Sequence, residues 1–130
     1  RAEWSEHQTA TIGAIATTTA YTEGDPWLQD ALAYVKRNFR LVDEQMHGRF
    51  AKVGYVRPQG TYIAWLDFKP LGIDDPAAYF LNKAKVALTD GKECGKTGQG
   101  CVRMNFAMPR PLLVDCFDRM YEALHADGLL

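Results

Sequence analysis

Leu28, Leu32, Val35, Phe39, Val42 and Met46 recur at helical spacings, which predicts one long amphipathic helix with Lys36, Arg37, Arg40, Asp43 and Glu44 on its outer side. Asp25 suits its N-cap, Pro26 its first turn and Gly48 its end, so the helix spans residues 25–48. Ahead of it, Thr9 to Tyr21 are small and apolar but rich in Thr, a mediocre helix former away from packing partners. A helix there needs a neighbour. Beyond Gly48 the period changes. Val53 to Val56 reads as a short strand, Pro58-Gln59-Gly60 as a turn, and Thr61 to Phe68 as a strand apolar at both parities. Such a strand belongs in the middle of a sheet, covered on both sides; Tyr62 and Trp65 look like ligand-stacking aromatics, but in a two-sided apolar strand such residues are more often core.

Asp74 or Asp75 caps the next helix, with Pro76 near its start and Phe80, Leu81 and Ala84 inward. A short strand at Val86-Ala87-Leu88 follows, then a loop with Gly91, Gly95, Gly98 and Gly100 that reads as mobile. Cys101 to Ala107 alternates, with Val102, Met104 and Phe106 on one face and Arg103, Asn105 and Ala107 on the other. The last helix starts after Pro109-Arg110-Pro111, buries Leu113, Cys116, Phe117, Met120 and Leu124, and ends near Gly128. The order is helix, helix, strand, strand, helix, strand, strand, helix. An α+β fold satisfies it, with helices packed on one face of a small, mainly antiparallel sheet.

Composition narrows the partners. At 130 residues, 47% hydrophobic and 24% charged, the chain suits one globular unit. A net charge of -1 with scattered Lys and Arg leaves no basic footprint for nucleic acid or an acidic membrane. The apolar runs are far shorter than the ~20 residues a bilayer crossing needs, and no signal-peptide pattern opens the chain. The expectation is a cytoplasmic protein. Cys94, Cys101 and Cys116 match no zinc spacing and read as reduced thiols, and His7, His47 and His125 lie far apart, so no metal is expected.

Little of the possible chemistry survives inspection. Gly95-Lys96-Thr97 resembles the end of a phosphate-binding loop, but only three residues separate Gly91 from Gly95 where four are required, and a strand follows where a helix should. Cys94 lies between Lys92 and Lys96, which can depress a thiol pKa, although a single loop thiol is more often inert. Asp74 and Asp75 are explained by capping, Gly60 by its turn, and His7 has no identifiable partner. Arg103 offers a planar, permanently charged fork suited to a carboxylate; the same residue equally suits pairing with a nearby Asp or capping a helix end.

Two blocks point further: Pro58-Gln59-Gly60-Thr61-Tyr62-Ile63-Ala64-Trp65-Leu66-Asp67, and Gly100-Cys101-Val102-Arg103-Met104-Asn105-Phe106-Ala107. Together they resemble the C-terminal domain of a pyridoxal-phosphate enzyme of the class I/II aminotransferase superfamily, on its branch of cystathionine beta-lyases and carbon-sulfur lyases. The resemblance runs from about Gly24 to Leu124 and departs in the loop near Lys92, where the family has small residues and a Phe-Gly pair. It implies that residues 1–23 are the tail of a large domain and 24–130 a small domain, with the helix at 25–48 crossing between domains. It also implies that Arg103, in the family's Gly-x-x-Arg-x-Asn strand motif, grips the substrate α-carboxylate. Asn105 either orients that fork or holds the sheet-to-loop junction. Pyridoxal 5'-phosphate would be bound mainly by an N-terminal domain outside this sequence, which carries the cofactor lysine, so no catalytic residue is expected here and the chain alone should be inactive. The parent would be a homodimer acting on amino acids, by α,β-elimination or by transamination. A different class also accounts for the residues: a non-catalytic α+β domain that binds small carboxylates beside Arg103 for regulation.

Overall fold

The computed structural model describes residues 10–130, so His7 lies outside the described residues. The helices are α1 (Thr11–Glu23), α2 (Asp25–His47), α3 (Pro76–Lys83) and α4 (Arg110–Ala126), and the strands are β1 (Gly54–Tyr55), β2 (Ile63–Asp67), β3 (Thr89–Asp90) and β4 (Cys101–Asn105). Their order along the chain is the expected one. Contacts divide the chain into a first unit ending at Tyr34 and a second, Val35–Leu130, with α2 contributing to both.

In the first unit α1 buries no side chain: Ile12 is 81% exposed and Tyr21 87%. The Thr17 and Thr22 hydroxyls turn back onto the carbonyls of Gly13 and Thr18, which satisfies them locally. Leu28 and Leu32, expected inward, are exposed instead. Periodicity marks them as apolar-facing, but within the first unit no layer covers them.

In the second unit one antiparallel sheet, ordered β1-β2-β4-β3, carries the core. Its inner face presents Ala64, Leu66, Phe68, Val102, Met104 and Phe106. Val42 and Met46 from α2, Phe80 from α3, and Leu113, Phe117, Met120 and Leu124 from α4 close over them. Each such apolar side chain removed from water contributes roughly 1.5 to 3 kcal/mol. Phe68 and Phe80 meet edge-on with ring centroids 4.9 Å apart, the geometry that aromatic quadrupoles favour.

All the helices of this unit lie on that one face, and the expectation for β2 fails as a result. The strand is central, but Trp65 is 38% exposed and Ile63 only half-buried, because within this unit no layer covers the far side of the sheet, and Tyr62, just ahead of the strand, is 48% exposed. Leu81, likewise expected inward, is exposed on the outer side of α3. Asp75, not Asp74, caps α3, its Oδ1 accepting from the Ala78 amide at 3.0 Å.

The third strand lies at Thr89–Asp90 and not at Val86-Ala87-Leu88. Val86 is buried in the core, while Ala87 and Leu88 run unpaired beside the end of β4. The glycine loop, expected to be mobile, is wound into two short 3-10 turns, Gly91–Cys94 and Lys96–Gly98. Close approach requires the glycines: a Cβ on Gly98 would fall 1.9 Å from the Gly91 oxygen. Among the described residues no helix is long and apolar enough to cross a membrane, and no group of His, Cys, Asp or Glu could hold a metal ion.

One polar residue is fully buried in this core. The Asn38 amide nitrogen donates to the carbonyls of Phe106 at 2.8 Å and Met108 at 2.7 Å, tying α2 to the chain that leaves β4. Its own Oδ1 has no partner. Asn38→Ala removes that unsatisfied oxygen but strands two carbonyls, so a net loss of about 2 kcal/mol is expected in urea unfolding.

Near the end of α4, Asp127 accepts from Tyr79 at 2.7 Å and pairs with Lys83. Lys83 first, then Tyr79, hold the Asp127 carboxyl below its ordinary value. A depressed folded-state pKa stabilises the fold above the unfolded value near ~3.9, and that contribution disappears as pH falls through the folded value. Asp127→Asn should therefore flatten the acid limb of a stability-versus-pH curve and leave its slope near neutral pH unchanged.

Candidate functional site

The uncovered side of the sheet is where polar chemistry gathers. Successive side chains alternate across a strand, so with Val102 and Met104 inward, Cys101, Arg103 and Asn105 face outward. On β2 the same parity turns Ile63, Trp65 and Asp67 outward. Antiparallel register then sets these residues side by side: Trp65 opposite Arg103, Ile63 opposite Asn105, and Asp67 opposite Cys101, with Thr89 of β3 flanking Arg103 on its other side. Directly opposed residues have Cβ atoms roughly 4.5 to 5.5 Å apart. An aromatic ring, a guanidinium and a hydroxyl therefore form one row across three strands.

Arg103 is exposed, and among the described residues it makes no hydrogen bond and no ion pair. Other cations nearby are engaged: Lys69 with Asp67 at 3.1 Å, and Lys92 with Asp75 at 3.3 Å and Asp90 at 3.5 Å. A hollow of about 120 Å³ opens beside Arg103, bounded by Thr89, Asn105, Met108 and Cys116. It exists because Ala87 and Leu88 do not pair with Met104 and Asn105, which leaves a gap between β4 and the preceding chain. Burial pushes the Cys116 thiol pKa up and so disfavours a thiolate there.

Asn105 shares the face of Arg103, but its Oδ1 accepts from the Ala107 amide at 2.8 Å. That bond turns the chain out of β4, and no hydrogen bond joins Asn105 to Arg103 among the described residues. The sequence reading misses Thr89 and sets Trp65, weighed there as a stacking aromatic, aside as core. Thr89 depends on where β3 pairs, which hydrophobicity does not encode. Trp65 reads as core by composition, and the only contrary signal is that Asp67, two residues on, shares its parity. Cys94 is an exposed free thiol, and its Gly-Lys-Thr neighbourhood forms a 3-10 turn with no helix behind it.

Away from this row, Tyr55 donates to Asp43 at 3.2 Å, and its pKa is raised to about 12, by burial first and then by the hydrogen bond to that carboxylate. Arg57 pairs with the same Asp43 at 3.4 Å. This cluster joins β1 to α2 and is structural. A larger hollow of about 550 Å³ lies along α3, between Asp75, Leu81, Asp90 and Glu93. Its charged side chains are acidic, with Lys92 bridging Asp75 and Asp90 at its rim, so it does not suit an anion.

No family model matches the chain. Protein MalY of Escherichia coli is 37% identical over 117 residues, covering 88% of this chain and 30% of that protein. Cystathionine beta-lyase PatB of Bacillus subtilis is 32% identical over 118 residues, covering 87% of this chain and 30% of that one. Among solved structures, one from Corynebacterium diphtheriae, provisionally described as a PLP-dependent beta-cystathionase, superposes with a TM-score of 0.87 at 33% identity over 96% of this chain and 33% of that chain. The chain thus spans about a third of the length of the curated relatives it matches. By sequence and fold together, the chain resembles the pyridoxal-phosphate enzymes of the class I/II aminotransferase superfamily, on the cystathionine beta-lyase and carbon-sulfur lyase branch, and matches about a third of each relative.

Proposed function

We propose that this chain is the substrate-holding small domain of a pyridoxal-phosphate enzyme acting on amino acids, and that Arg103 grips the substrate's α-carboxylate. The observation that carries this reading is the combination at Arg103: an exposed guanidinium with no internal acid, set beside a hollow at the edge of the sheet where the chain before β3 leaves β4 unpaired. A structural arginine would be paired, as Arg49 is with Asp118 at 2.7 Å and Arg119 with Asp115 at 2.7 Å. Arg103 instead keeps its fork available for two parallel bonds to a carboxylate.

The described residues fit that substrate end and not the cofactor itself. Lys69, Lys83 and Lys92 are each held by a carboxylate, and the Gly-Lys-Thr segment lacks the helix that would cradle a phosphate. In this proposal the groups that hold pyridoxal phosphate lie on a part of the parent enzyme outside these 130 residues. When bound, the cofactor supplies an electron sink for the pair left at the α-carbon once its proton departs. The contribution of this chain is positional. Clamping the carboxylate fixes rotation about the bond to the α-carbon and so selects which α-bond is presented for cleavage. Elimination of a thiol and transamination share that requirement, and Arg103 serves both. Asn105 acts on the grip indirectly, by holding the exit of β4, and movement of this domain would close the site over its substrate.

Two outcomes test the proposal. The isolated chain mixed with pyridoxal phosphate and L,L-cystathionine should release no pyruvate or thiol and acquire no bound-cofactor absorbance. Turnover would contradict the assignment, and micromolar binding of amino acids by the chain alone would favour a regulatory carboxylate-binding domain, because one ion pair in a half-site binds weakly once association entropy is counted. In the parent enzyme, Arg103→Gln should lower kcat/KM by about 10²-fold or more, since each charge-assisted bond is worth roughly 1.5 to 3 kcal/mol. The same substitution should change folding stability by less than about 0.5 kcal/mol, as suits a side chain with no internal partner. A large stability loss would mean that Arg103 is structural.

A further inference from the structure

We propose that Trp65 is a positioning residue for Arg103: its indole walls the guanidinium off from Asp67 and keeps the fork turned toward the hollow beside β4. The proposal rests on the reading of Arg103 given above and gives a reason for the fork to stay free. Among the outward-facing strand residues described, Asp67 is the one acid. It lies opposite Cys101, two residues along β4 from Arg103, which makes it a diagonal neighbour. Diagonal neighbours sit roughly 7 to 8 Å apart, a gap that long side chains cross. Arg103 has this acid in reach and forms no ion pair with it.

Charge alone does not explain that restraint. Lys69 holds both Asp67 oxygens, Oδ1 through its backbone amide at 2.9 Å and Oδ2 through its ammonium at 3.1 Å. Yet the Lys69 and Asp67 side chains are 51% and 30% exposed, and an ion pair so open to water is a weak one. A guanidinium offers a carboxylate two parallel N–H bonds, where an ammonium is a point charge. Left to electrostatics, Arg103 would compete for Asp67 and its fork would be spent inside the chain. Something must stand between them.

The backbone places Trp65 there. The Phe68 amide donates to the Gly100 carbonyl at 2.8 Å and the Phe106 amide to the Tyr62 carbonyl at 2.9 Å, one pair beyond each end of the β2–β4 ladder. Hydrogen-bonded pairs alternate along an antiparallel ladder, so counting inward from either end makes Trp65 and Arg103 a non-hydrogen-bonded pair, with Cα atoms about 4.5 Å apart and side chains closest. The amide and carbonyl of Arg103 then point to β3, and Thr89 faces it across the wider kind of pair, about 5.5 Å. The indole is thus the nearer and larger of the two flanking side chains. Two hollows show which way each side chain lies. The one at the edge of the sheet, about 120 Å³, is lined by Arg103, Thr89 and Asn105 and by neither Trp65 nor Asp67. The other, about 260 Å³, is lined by Trp65, Asp67 and Lys69 and not by Arg103. The indole therefore stands on the Asp67 side of the guanidinium. It does so without capturing the cation: Arg49 lies over the Tyr121 ring at 5.0 Å and Arg57 over the Phe39 ring at 4.9 Å, whereas Arg103 lies over no ring among the described residues. A fork fixed before the substrate arrives leaves less for binding to order and meets the carboxylate at one angle.

Trp65→Leu keeps an apolar side chain at the position and removes the flat wall. In the parent enzyme it should lower kcat/KM about tenfold, with KM raised and kcat lowered together, because a fork shared with Asp67 binds the carboxylate less and holds it at varying angles. Adding Asp67→Asn should restore kcat/KM to within about threefold of the unmodified enzyme, a coupling that independent sites do not show. Trp65→Phe, which keeps a ring, should lose less than about threefold. In the NMR spectrum of the 130-residue chain, with no cofactor or substrate present, the Arg103 Nε–H signal should move in Trp65→Leu and return most of the way when Asp67→Asn is added. A loss that Asp67→Asn leaves uncorrected would make Trp65 a packing residue, and a change in KM alone would make it a direct substrate contact. Either overturns the proposal, as does an Nε–H signal that Asp67→Asn fails to bring back. The reading of Arg103 fails on a separate result: Arg103→Gln with unchanged kcat/KM ends the carboxylate grip, while the Nε–H signal still reports whether the wall exists.

Discussion

A sheet with helices on only one side sorts its strand residues by parity: one set goes into the core and the other is left more open to water, Cys101 at the start of β4 being the buried exception. In β4 that rule separates Val102 and Met104 from Arg103 and Asn105, and in β2 it separates Ala64 and Leu66 from Trp65 and Asp67. A one-residue slip of register would drive a guanidinium into a core of phenylalanines, at a cost no nearby acid could offset. The buried face therefore fixes the register, and the register fixes the site. Every functional argument about this chain descends from that coupling.

The core also holds the site still. Asn38 ties α2 to Phe106 and Met108, just beyond the strand that carries Arg103, and Asn105 folds the same exit back on itself through the Ala107 amide. At the other end of β4, Gly91 and Gly98 pack backbone against backbone, and Gly100 lets the Lys69 stem lie across the strand entrance. These contacts lie outside the reacting centre. They keep two charged positions on the open face at a set separation, and positional precision is what a binding face of few residues requires.

The relatives are matched over only part of their length. The chain matches about a third of each, and the matched third carries the arginine motif, a long helix and the small sheet. Its described lysines are committed to neighbouring carboxylates or carbonyls where bonds are formed, as with Lys52 and Leu129 or Lys85 and Asn82.

Much of this was legible in the amino-acid order. Helical spacing located α2 and α4, and the alternation of Cys101 to Ala107 put Arg103 on the polar side of its strand, because periodicity and local turn chemistry act over a few residues. What the sequence could not decide was which faces would be covered. Leu28, Leu32, Tyr62, Trp65 and Leu81 are as apolar as any core residue, yet each remains exposed, since burial depends on a second layer that strand period does not report. Nor could it place β3 at Thr89–Asp90, wind the glycine loop into turns, or set Lys69 and Asp67 in one hollow with Trp65. Those are long-range pairings, chosen by packing against distant segments, and only the tertiary structure specifies them.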